Sequence, residues 1–233
     1  MDEKYRRKHF LLLQVNDALF PIGGYSHSYG LETYIQKNLV TTVEEASDFI
    51  RNRMIYGFCY NEFLSARLAW EYAASGDLPA LNRLEELLSA SRIPRETREA
   101  GVKLGSRFVK TIKGMEIPYE SNIFLRYCES RKGQFTTHSV VYGVFCAAVG
   151  IRREDAMVNY LYAQASAMVT NCVKTIPLSQ TAGQHLLYEC HDVFQEILTR
   201  LKTLTEEDLC QSAPGFDVRS MQHEGLYSRI YMS

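Results

Sequence analysis

Apolar residues in this chain recur at intervals of three and four, the spacing of helices that bury one face. Over residues 41–77, "TTVEEASDFIRNRMIYGFCYNEFLSARLAWEYAASGD" sets Ile50, Met54 and Phe58 along one stripe with Ile55, Phe63 and Leu64 beside it. Thr42 with Glu45 three positions on predicts a capping box, Gly76 a stop, and Gly57 a break into two helices. Asp77 then caps "LPALNRLEELLSA", whose Leu81, Leu84, Leu87 and Leu88 form a stripe. Pro94 suits the first turn of "PRETREAGVKLGSRFVKTIKG". Further helices are predicted in "YESNIFLRYCESR", "THSVVYGVFCAAVG", "REDAMVNYLYAQASAMVTNCVKT" and "TAGQHLLYECHDVFQEILTRLKTL". Small residues spread through 139–183 allow close helix approach and put that segment at the centre.

Strand signals are nearly absent, with no hairpin dipeptide between alternating runs. No repeat or proline-rich linker divides the sequence. The reading is one all-α domain over 1–233, a bundle of about eight to ten helices, with 211–233 an irregular tail. Pro214 and Gly215 stop the preceding helix, and Tyr227, Ile230, Tyr231 and Met232 crowd the last seven residues. Terminal segments are usually polar. This one is sticky, so it either docks on its own domain or belongs to an interface.

Composition removes several function classes. A hydrophobic fraction of 46% with 23% charged residues fits a folded domain. A net charge of −1 supplies no global field for nucleic acid or anionic lipid. No apolar run reaches the length of a membrane span. The six cysteines are scattered without metal or redox spacing, so free thiols in a cytoplasmic protein are expected.

The stretch that resists a helical reading is residues 20–32, "FPIGGYSHSYGLE". It lacks the lysine and hydroxyl of a P-loop and the glycine spacing of a dinucleotide fold. From Gly24 it reads Gly-Tyr-Ser-His-Ser, without the closing glycine of a nucleophile elbow. Tight-turn glycines explain it better. His185, Glu189 and His191 do not share one helix face, so no metal site is expected and none is assigned. The basic residues of 92–113 alternate with Glu96 and Glu99, which favours a solvated helix face over a nucleic-acid surface. No catalytic residue emerges. The 15 tyrosines, several beside glycine, serine or arginine, favour protein contacts.

Taken together, "LLLQVNDALFPIGGYSHSYGLE", "RETREAGVKLGSRF", "HSVVYGVFCAAVGI", "VTNCVKTIPLSQTAGQ" and "MQHEGLYSRIYMS" resemble the UreF family of urease accessory proteins. The closing "YSRIYMS" resembles its Helicobacter-type branch. Ile230, Ser179 and Ala182 depart from the residues many members carry. The resemblance implies an all-α, non-catalytic scaffold that dimerises, binds the accessory protein UreD (UreH in some organisms) and recruits the GTPase UreG. Together they would deliver nickel to apo-urease; no cofactor is bound permanently, nickel being handled by the complex and GTP by the partner. Tyr25, Lys174, Ser179, Gln180 and Arg229 are expected on the face that receives the GTPase. Ser26, His27, His223, Glu224 and Ser233 are expected among the partner contacts. Tyr227, Tyr231 and Met232 would anchor the tail on the domain or on the neighbouring accessory protein. Regulation of the partner's GTP hydrolysis, with Arg229 as an arginine finger, is the alternative reading; a helical nucleic-acid binder is a more distant one.

Overall fold

The structure, a computed structural model, describes residues 3–233. Among them there is no strand; the elements are α1 (Glu3–Val15), α2 (Leu31–Gln36), α3 (Val43–Asn52), α4 (Leu64–Ser75), α5 (Leu78–Ser91), α6 (Arg95–Gly114), α7 (Ile123–Ser130), α8 (His138–Ala148), α9 (Arg153–Thr175), α10 (Gln180–Leu201) and α11 (Pro214–His223), with short 3-10 turns. The expected all-α architecture is what forms. The break expected at Gly57 does not occur. Instead a π-helical segment, Arg53–Phe63, joins α3 to α4 in one continuous rod, so the described helices make ten rods.

Local signals act where they were read. Thr42 and Glu45 form the reciprocal capping box of α3. The Asp77 carboxylate accepts from the Ala80 N–H at 2.9 Å, and Gly76 ends α4 in the left-handed region. One cap was not read in the sequence: Ser179 Oγ accepts from the Ala182 N–H at 3.0 Å and so caps α10.

The central element is α8, buried along nearly its whole length. It packs against α4 through Gly143, where a side chain would collide with the Ala66 carbonyl. Around it Phe108, Phe124 and Phe145 meet edge to face, and Tyr142 stacks on Tyr160 at 4.7 Å between centroids. Tyr142 keeps its hydroxyl satisfied by donating to the Ala156 carbonyl at 2.8 Å. Deep in this layer Glu85 of α5 accepts from the Thr137 N–H at 3.0 Å and from the Tyr127 hydroxyl, and burial raises its carboxyl to about 7. Apolar residues from α1 to α10 form one contiguous core. All six cysteines are free thiols, five of them buried.

The tail is where expectation and structure part. Residues 211–233 are not irregular throughout: Pro214 takes the first position of α11, where its missing N–H costs nothing, and starts a helix instead of merely ending one.

Candidate partner-docking surface

Residues 20–32 fold into a short 3-10 turn followed by α2, and two glycines make that path possible. Gly23 has φ of +83° and Gly30 of +89°, the region where a Cβ is strained. Both also lie under neighbours. A side chain at Gly23 would strike the Arg107 guanidinium, which donates to the Ile22 carbonyl at 3.1 Å; one at Gly30 would come within 2.9 Å of Ser220 Oγ on α11.

The tail returns across this turn and is fastened to it at two points. At the first, the main-chain oxygen of Ser233 accepts from the N–H groups of Ser28 and Tyr29 and from Ser28 Oγ. Ser233 Oγ lies 2.9 Å from His27 Nδ1, and the Met232 N–H donates to the Ser26 carbonyl at 2.8 Å. His27 is held from below by Asn171 of α9, whose Nδ2 donates to its carbonyl at 2.9 Å. Burial, with the Lys103 and Arg107 cations adding to it, drives the His27 ring down to about 4 against a smaller opposing pull from Glu96. It is therefore a neutral structural imidazole at neutral pH.

At the second point Glu32 is the hub. Its Oε1 accepts from the Ile230 N–H at 2.7 Å; Oε2 accepts from the Tyr231 N–H at 3.1 Å and lies 3.1 Å from His223 Nε2. The other ring nitrogen, Nδ1, lies 2.6 Å from Glu96 Oε2, and Glu96 Oε1 accepts from Arg229 at 2.8 Å. A chain of polar side-chain contacts, Glu32–His223–Glu96–Arg229, thus runs from α2 through α11 and α6 to the tail. Arg95 of α6 separately pairs with Glu224, just after α11, at 2.6 Å.

The residues expected at a partner surface consequently divide. His27, His223, Tyr231 and Ser233 are buried and face inward. Tyr231 anchors the tail on the domain, one of the two roles expected of it. Tyr25, Tyr227 and Met232 are exposed, as are Lys174, Ser179, Gln180 and Arg229; Ser26 and Glu224 are half-buried. Loop and tail residues come together in one patch, and Asn171, one helical turn before Lys174, joins the end of α9 to it. Two residues central to the assembly, Glu32 and Glu96, were not among those expected. Glu32 closes the "SYGLE" motif, so a signal for it existed; Glu96 looked like one more charge on a solvated face. The basic residues of 92–113 do not form a free cationic face. Arg95 and Lys103 pair with carboxylates, while Arg98 and Arg107 donate to carbonyls. Among the described residues there is no cluster of three His, Cys, Asp or Glu side chains able to hold a metal ion. No described helix is long and apolar enough to cross a membrane.

Comparison with known sequences meets this geometry. The sequence model of the family described as UreF matches residues 40–191. The chain belongs to the UreF family. It is 33% identical over 224 residues to the urease accessory protein UreF of Bacillus sp. (strain TB-90), covering 95% of this chain and 97% of that one. It is likewise 33% identical over 228 residues to the Haemophilus influenzae protein of the same name, covering 95% and 94%. The UreF of Lachnoclostridium phytofermentans is 33% identical over 224 residues, covering 95% and 97%. These relatives establish the family and not its Helicobacter-type branch. UreF proteins are urease accessory proteins and not enzymes.

Proposed function

We propose that this chain is a cytoplasmic, non-catalytic scaffold in urease maturation. It forms a homodimer, binds the accessory protein UreD (UreH) and recruits the GTPase UreG; the assembly inserts nickel, its cargo, into apo-urease. The observation that carries this reading is the division of roles within loop and tail. Inward residues fix the backbone, and that fixed backbone presents Tyr25 at 60% exposure, Tyr227 at 106%, Ile230 at 73% and Met232 at 53%. Large apolar side chains held out on rigid backbone bind without a further ordering cost, and tyrosine, methionine and arginine are favoured in interface cores. Lys174, Ser179 and Gln180, exposed where α9 passes to α10, supply the polar border on the GTPase side.

Arg229 docks and does not act as a catalytic finger. Its guanidinium is already paired with Glu96 at 2.8 Å, whereas a finger must be free to reach a transferring phosphoryl group. Assembly tests the reading. The wild-type chain co-expressed with its UreD/UreH partner should elute as one complex. Tyr227→Ser combined with Met232→Ser should lose that partner while keeping its own elution volume and helicity, and retention of the partner would contradict the proposal.

A further inference from the structure

Independently of partner docking, two arginines are built into the interior beside a cleft of about 50 Å³, several times the roughly 10–15 Å³ that one water needs. Arg53 opens the π-helical segment and is 5% exposed. Its guanidinium lies over the rings of Phe58 and Phe216, at 4.9 and 4.8 Å, yet it donates no hydrogen bond among the described residues. Arg92, where α5 passes to α6, has a side chain only 8% exposed. Its Nη2 is paired with Glu62 at 2.6 Å, and its buried Nε has no acceptor. Thr97 Oγ1, also buried and without a partner, borders the same cleft.

Both guanidinium groups rest on glycines. A side chain at Gly57 would press on Arg53 within 3.0 Å, and one at Gly101 would come within 3.3 Å of the Arg92 Nη1. Buried guanidinium N–H groups without acceptors are costly, and the planar fork matches carboxylate and phosphate oxygens two at a time. Two carboxylates limit the charge of the cleft. Glu62 belongs to Arg92, and Asp217, on the first turn of α11, acts on Arg53 through charge alone.

We propose that this cleft binds a small oxyanion, of the phosphate or carboxylate class, between Arg53 and Arg92 with Thr97 donating to it. The anion would bridge the π-helical segment, the α5–α6 junction and the first turn of α6, the helix whose Glu96 holds His223 and Arg229. It would therefore tie the docking surface more firmly to the domain.

The full chain is titrated with inorganic phosphate, and separately with acetate, by calorimetry and by thermal melting, against sodium chloride at matched ionic strength. A saturable rise in melting temperature with phosphate, acetate or both, and none with chloride, is expected; the better of the two identifies the oxyanion class. Arg53→Gln should weaken binding by roughly tenfold or more, the loss of charged hydrogen bonds. Asp217→Asn should tighten it several-fold by removing the opposing charge, a gain that a misfolded variant cannot produce. Equal effects of chloride and phosphate, or an affinity unchanged by Asp217→Asn, would overturn the assignment.

Discussion

Replacing Glu32 by glutamine tests the latch at its hub. The carboxylate accepts two backbone N–H groups of the tail, at 2.7 and 3.1 Å, and faces His223 Nε2 at 3.1 Å. Each hydrogen bond to a charged group contributes about 1.5–3 kcal/mol. Glutamine keeps one neutral acceptor and turns an amide N–H toward donors, so roughly half of the set is lost, about 2–4 kcal/mol. If tail release is a local opening, that loss raises its equilibrium constant by about 30- to 1,000-fold. Hydrogen–deuterium exchange reads the change directly. The amides of Ile230, Tyr231 and Met232, and those of Ser28 and Tyr29 that donate to Ser233, should exchange faster by that factor. Amides of α8 should not change, because the central layer does not depend on the tail. Unchanged protection at Tyr231 and Ser28 would refute the reasoning, since it would mean that Glu32 does not hold the tail in place.

Two further outcomes follow from the same geometry. Burial raises the Glu85 carboxyl from an ordinary value of 4.5 to about 7, so the native state keeps a proton that the unfolded chain has released. The resulting stabilisation, about 3 kcal/mol in magnitude, is complete below pH 4.5 and lost as pH rises through 7; Glu85→Gln should flatten that part of the stability–pH curve in denaturant melts between pH 5 and 8. Gly30→Ala should destabilise the turn by about 1 kcal/mol or more, from a positive φ and the approach of Ser220, visible as a lower melting temperature and faster exchange at Ser28.

Much of the fold was legible because its signals are local. The capping box of Thr42 and Glu45, the Asp77 cap, and the small-residue composition of α8 each act within a few positions or through helical period. The π-helical joint was not legible: Gly57 reads as a breaker, and only the packing of Arg53 across it explains why the helix continues. The tail was misread for a related reason. Pro214 has one meaning at the end of a helix and another at the start, and nothing in its neighbours decides between them. The sequence brought the loop and tail residues into view together but did not sort them into buried and exposed ones. His27 and Ser233 are 206 positions apart, and a contact of that separation leaves no mark on local periodicity. The same is true of Glu32 and Glu96, whose importance lies wholly in partners supplied by α11 and the tail.

The scaffold claim is tested most directly by multi-angle light scattering on gel-filtered complexes of this chain with the cognate UreD/UreH protein, before and after adding UreG, for wild type and Arg229→Ala. The account predicts a binary and then a ternary peak for wild type, and an Arg229→Ala complex that keeps UreD/UreH but loses the GTPase. A wild-type chain that joins neither partner, or a variant that holds the GTPase as firmly as wild type, would contradict it.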